Sequence, residues 1–140
     1  MAKPGSSCYL DTNVLLYFVH KDSPFHFDAK KTISRIRKSS VIPVISPLCL
    51  DEFIYHLNLD TSTIKNQVKK ILRIPNIQVV NPPNEPRYQL KIPNLMNKFK
   101  LKPRDAYHLL TAKHYKIKYF DHDFDLVFAS RTLTQFLTPS

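Results

Sequence analysis

The sequence predicts an α/β fold, a three-layer α/β/α sandwich around a mainly parallel central sheet. Short, continuous apolar runs recur along the chain, the pattern of strands buried on both faces. Segments with helical spacing of apolar residues lie between them, and strands alternating with helices assemble through crossover connections. Several helix starts are marked by a capping residue followed at once by proline. The length of 140 residues suits one domain spanning 1–140.

Taken in order, Cys8-Tyr9-Leu10 is a short apolar strand ending at Asp11, and Asn13 is placed to cap a helix carrying Val14 to Val19. Ser23-Pro24 opens a second helix running to about Lys38, with Ala29, Ile33 and Ile36 inward. Val41 to Ile45 is the next strand, and its Pro43 suggests an edge or a bulge. Ser46-Pro47 opens a helix through Glu52 to about Leu57, and Ile64, Val68, Ile71 and Leu72 mark another. Ile77 to Val80 reads as a third strand, followed by a loop and a proline-interrupted helical stretch to Lys100. A helix begins at Pro103 and runs to His114, Ile117 to Phe120 is a fourth strand, and Leu133 to Leu137 a last short one.

Composition narrows the function. The chain contains a single glycine, which excludes the glycine-rich loops that cradle phosphates in nucleotide-binding folds. Its net charge is +10, from 21 Lys and Arg against 11 Asp and Glu. Such a balance suits a polyanionic partner, usually a nucleic acid, although self-repulsion for solubility produces it too. No stretch is long enough to span a bilayer, and neither a signal peptide nor a basic amphipathic helix is evident. Cys8 and Cys49 sit in apolar runs and read as buried thiols in a reducing compartment. These features together predict a cytoplasmic protein.

The acids fall at telling places. Asp11 follows the first strand, Asp121 follows the fourth, Glu52 lies in the helix after the second, and Asp105 lies in the first turn of the helix from Pro103. Ligands of open α/β sheets bind outside the carboxyl ends of the strands, so Asp11, Glu52 and Asp121 are expected to converge there. The connectivity alone does not bring Asp105 to them. Clustered carboxylates repel unless a cation neutralises them, and an all-oxygen acidic site suits Mg²⁺ or Mn²⁺. Such ions activate water and stabilise charge on phosphate. Ordinary roles compete: Asp11 as a helix cap, Glu52 paired with His56, Asp105 set against a helix dipole, and Asp121, Asp123 and Asp125 in a solvated turn.

The stretch Tyr9-Leu10-Asp11-Thr12-Asn13-Val14 resembles the opening motif of PIN domains, and Leu101-Lys102-Pro103-Arg104-Asp105-Ala106 resembles the third. Ser46 to Phe53, around Glu52, is similar to the second motif, and Tyr119 to Asp125 to the fourth. The resemblance implies a PIN-like fold and a Mg²⁺- or Mn²⁺-dependent endoribonuclease. By the same resemblance Asp11, Glu52, Asp105 and Asp121 carry catalysis and metal, and Asp123 joins the metal ligands. Asn13 and Thr12 are the expected supporting residues of the site. Apart from the resemblance, the charges of Arg104, Lys102 and Lys69 make them candidate RNA contacts, with an ordinary solvated helix face the equal alternative for Lys69. Stand-alone domains of this kind are similar to VapC-type toxins, which implies a homodimer, an RNA substrate and a cognate antitoxin. The fourth motif departs from the family in one place: Tyr119 stands where many members carry Ser or Thr, and either Asp121 or Asp123 could be the principal ligand.

A haloacid-dehalogenase phosphatase needs a second Asp two residues after the first, where this chain has Asn13. A flap-type DNA nuclease needs additions that this length cannot hold. The remaining alternative is a non-catalytic PIN-fold RNA-binding or scaffold protein. The histidines make no zinc spacing with the cysteines, and His108 and His114 read as packing or surface residues of their helix.

Overall fold

The computed structural model describes residues 7–38, 40–117 and 119–121, the last three by their backbone alone. Strand β1 (Ser7–Leu10) is followed by α1 (Thr12–Val19) and α2 (His26–Lys38), then β2 (Ile42–Ile45), α3 (Pro47–Leu57) and α4 (Thr61–Leu72). Strand β3 (Gln78–Val79), α5 (Pro86–Gln89), α6 (Ile92–Phe99), α7 (Pro103–His114) and β4 (Tyr119–Asp121) complete the described chain. The expected strand at 133–137 lies outside the described residues.

The sheet order is β3-β2-β1-β4, and every described pairing is parallel. Steps β1 to β2 and β2 to β3 run the same way across the sheet. The step from β3 to β4 runs back past both other strands. Right-handed crossovers therefore put α1 to α4 on one face and α5 to α7 on the other, which gives three layers. The packing agrees: α1 contacts α2, α3 and α4, while α6 packs on α7. Residues Cys8, Tyr9 and Leu10 of the central strand are all buried, as a strand covered on both faces requires. Phe53, Leu15, Ile45 and Ile71 fill the core beside them.

Pro43 sits in an inner strand, opposite Cys8. Pairing of β2 with β3 covers Val44 and Ile45 only, so at Pro43 the strand has one neighbour. Helix α1 is capped by Asp11 rather than Asn13: the Asp11 carboxylate accepts from the Asn13 N–H at 3.4 Å. Ser46 caps α3 ahead of Pro47, as the cap-then-proline pattern predicts.

With glycine scarce, left-handed turns are built from other residues, among them Asn58 and Lys100 at the ends of α3 and α6. Lys100 has φ 56 and no short polar side chain to ease that conformation. Replacing Lys100 with Gly is expected to raise stability by up to about 1 kcal/mol, relief of backbone strain outweighing the freer unfolded chain. Chemical denaturation of the two proteins side by side measures it.

Candidate active site

The strand order makes β1 and β4 neighbours at the point where the chain reverses its direction across the sheet. In open α/β sheets such a reversal is where a crevice is expected at the carboxyl ends of the two strands, the usual ligand position. Leu10 pairs with Asp121, so Asp11 and Asp121 end adjacent parallel strands at this crevice. Asp11 is buried, and its side chain is turned to the first turn of α1. Thr12 is buried as well, and its hydroxyl donates to the Cys49 carbonyl at 3.5 Å, tying the start of α1 to α3.

Glu52 is carried by α3, with its side chain 15% exposed. Its Oε1 lies 2.6 Å from Nε2 of His108, and Oε2 lies 4.0 Å from Nη1 of Arg104. Both partners belong to α7, four residues apart on one face of the helix. Asp105 is half-buried in the first turn of α7, three residues before His108, and so borders the same face. The contacts of His108 and Arg104 with Glu52 thus tie the first half of α7, which carries Asp105, to α3. No sequence argument from strand order supplies that link.

His108 is fully buried, and its Nδ1 lies 2.7 Å from the Tyr9 hydroxyl. Tyr9 in turn lies 2.8 Å from Oγ of Ser46, and the Cys49 thiol packs against the same hydroxyl at 3.4 Å. Burial alone would lower the His108 pKa. The hydrogen bonds to Cys49 and Glu52, and the negative charge of Asp11, overcome that and push it up to about 10. Burial raises the Tyr9 hydroxyl well above its ordinary range, with further contributions from Cys49 and Asp11. His108 is therefore charged at neutral pH and donates from both nitrogens, to Glu52 and to Tyr9. Tyr9 keeps its proton and donates to Ser46. The chain of bonds runs from the core to the edge carboxylate, the kind of support that fixes a ligating side chain in place.

Among the described residues, no group of three or more His, Cys, Asp or Glu side chains is arranged to hold a metal ion. Two of the acids have protein partners in this structure, Glu52 in His108 and Arg104 and Asp11 in the α1 N-terminus. The donor set itself is hard carboxylate oxygen, the chemistry that suits a divalent cation such as Mg²⁺ or Mn²⁺. The side chain of Asp121 and all of Asp123 lie outside the described residues. Lys102 caps α7 and is exposed, as is Lys69 on α4. Asn13, half-buried, gives its backbone N–H to Asp11. Cys8 and Cys49 are both buried. His56, which the competing ordinary reading paired with Glu52, is exposed and meets the Tyr55 ring.

The family model of the PIN domain matches residues 8–129. The chain belongs to the PIN domain family. Two solved structures share the PIN fold seen here. One is the Mycobacterium tuberculosis VapC20, described as a sarcin-ricin loop cleaving toxin. It is 16% identical with a TM-score of 0.67, over 89% of this PIN domain and 95% of that chain. The other is VapBC2 from Rickettsia felis bound to a DNA fragment from their promoter. It is also 16% identical, with a TM-score of 0.56, over 79% of this chain and 83% of that one. No curated protein matches the sequence.

From sequence alone, His108 of this PIN domain reads as a packing or surface residue, and no role in the site falls to Tyr9, Ser46 or Cys49. One signal was present: a histidine three residues after Asp105, on the same helical face as a candidate acid. Its partners lie 56 and 99 residues away in sequence, so only the fold joins them.

Proposed function

We propose that this PIN domain is a metal-dependent endoribonuclease that hydrolyses RNA phosphodiester bonds. The observation that carries the reading is the pairing of Leu10 with Asp121, which sets two acids at the ends of adjacent parallel strands, at the crevice where the fold reverses. Asp11, Glu52, Asp105 and Asp121 would hold Mg²⁺ or Mn²⁺, with Asp123 as a further ligand. When bound, the ion supplies an activated water and charge stabilisation at the phosphate. His108 and Tyr9 orient the Glu52 carboxylate. Thr12 and Asn13 hold the start of α1 against the site. Arg104, Lys102 and Lys69 supply positive charge for the RNA backbone, in a chain of net charge +10.

The likeness to a sarcin-ricin loop cleaving toxin and to VapBC2 on promoter DNA supports assigning the chain as the toxin of a toxin–antitoxin pair. On that reading it acts in the cytoplasm as a homodimer and is restrained by a cognate antitoxin. Among the described residues no helix is long and apolar enough to cross a membrane.

The engagement of Glu52 by His108 and Arg104 favours a second reading, a PIN-fold RNA-binding or scaffold protein without turnover. Metal removal separates the two. Purified protein with Mn²⁺ should cut a mixed RNA pool, stop in EDTA and resume when the ion is restored in excess. Equal RNA decay with and without Mn²⁺, alongside intact RNA binding, would decide for the scaffold.

A further inference from the structure

At the far end of α7 from Asp105, aromatic and basic side chains gather around two adjoining grooves. One, of about 350 Å³, is lined by Tyr88, Lys91, Asn94, Leu95, Lys113 and His114 among others. The other, of about 500 Å³, is formed by the loop Asn81 to Glu85 with Pro47, Tyr88, His114 and Tyr115. Tyr88 and His114 form the wall common to both, and each volume is within the range of small-ligand sites.

The rings are arranged for stacking. Tyr88 meets His114 at 5.1 Å and 79°, and His114 meets Tyr115 at 4.9 Å and 89°. A perpendicular pair covers at most one ring face, whereas a stacked pair would hide two. Arg87 and Lys91 lie 4.9 and 5.2 Å from the centre of the Tyr88 ring. Lys91 and Lys113 are the cations of the groove wall, and the single acid, Glu85, is paired with Arg87 at 3.2 Å.

The groove is braced from α7. The Tyr107 hydroxyl donates to the Pro83 carbonyl at 2.8 Å, and Tyr115 donates to the Asn81 carbonyl at 2.6 Å. The loop follows β3, and Pro47 follows β2, so this groove lies at the carboxyl ends of strands, as the acids do. Tyr107 itself lies between Asp105 and His108 in sequence. Nine residues of helix separate Asp105 from His114, roughly 13 Å along the axis.

Aromatic rings lining a groove together with Lys side chains are the features that hold single-stranded nucleic acid without reading its sequence. We infer that the Tyr88–His114 groove is an RNA subsite, taking an unstacked base on its rings and the adjoining phosphates on Lys91 and Lys113. This rests on the ribonuclease reading, and it adds a fixed point where substrate is gripped away from the acids.

The test is binding without cleavage. A labelled single-stranded RNA decamer is titrated with the full chain in EDTA and followed by fluorescence anisotropy, using wild type, Tyr88→Ala, Tyr88→Phe and Tyr88→Ala/His114→Ala. Loss of one stacked base costs about 1–3 kcal/mol, so Tyr88→Ala should weaken binding between about 5-fold and 150-fold. The double variant should lose more, and Tyr88→Phe, which keeps the ring, should stay within about twofold of wild type. Unchanged affinity in a folded Tyr88→Ala overturns the inference, and so does a Tyr88→Phe as weak as Tyr88→Ala. It also falls if the Ala variant alters self-association instead of RNA affinity, since the face would then contact a second copy. Mn²⁺-dependent cleavage by wild type with Tyr88-independent binding sinks the groove alone. Failure of wild type to bind or cut RNA sinks the ribonuclease reading with it.

Discussion

Asp11→Asn is expected to lower RNA cleavage at least about a thousandfold while leaving the fold in place. The two effects separate because Asp11 does two jobs. As the cap of α1 it accepts from the Asn13 N–H, and an asparagine oxygen does this nearly as well as a carboxylate. As a candidate ligand it supplies a negative charge at the crevice, and asparagine supplies none. Loss of a metal ion's share of transition-state stabilisation amounts to several kcal/mol, and about 4 kcal/mol corresponds to a thousandfold in rate. Thermal melting should place the variant within a few degrees of wild type. Cleavage retained to within tenfold by a folded Asp11→Asn protein would remove Asp11 from the machinery.

The second large effect is on stability. In His108→Leu, Glu52 loses its 2.6 Å partner and the Tyr9 hydroxyl loses its 2.7 Å partner, both inside or at the edge of the core. Breaking a buried charged pair on one side costs about 3–5 kcal/mol, a large share of a domain's total stability. His108→Gln, which can still donate toward Glu52, should lose less. The pH dependence carries its own sign. The folded His108 pKa is raised to about 10, from an ordinary 6.5 in the unfolded chain. Its contribution is therefore full below about pH 6.5 and is lost as pH rises toward 10. Within that window wild type should lose about 1.4 kcal/mol per pH unit, the slope for one proton, in addition to changes from other groups. His108→Leu should lack that slope. Urea denaturation at pH 6.5 and pH 9 compares them, and parallel slopes would mean that His108 is not charged in the fold.

The fold was legible because its signals are local. The apolar run at Cys8 to Leu10 and the Ser46-Pro47 punctuation each depend on adjacent residues, and both elements stand where they were expected. Boundaries slipped where a side chain had a choice. Asp11 rather than Asn13 caps α1, because its carboxylate reaches the first-turn N–H from the strand end. Ser23-Pro24 leads into α2 only through a turn, and the helix begins at His26. Although the pairing of their two strands is seen only in the fold, the positions of Asp11 and Asp121 at strand ends also followed from the sequence once the sheet was taken as parallel. The tie between Glu52 and His108 did not. It depends on two helices from opposite layers meeting beyond the sheet edge, and no periodicity encodes such a meeting. The Tyr88–His114 grooves were illegible for the same reason: α5, the loop after β3 and the end of α7 contribute separately.

Prolines stand in the first turn of α3, α5, α6 and α7, while the chain has eleven prolines and one glycine in all. Each proline narrows the conformations open to the denatured polypeptide, and the scarcity of glycine denies it the most permissive residue. Part of this protein's resistance to unfolding therefore arises before any contact forms, in a denatured ensemble with less freedom to surrender.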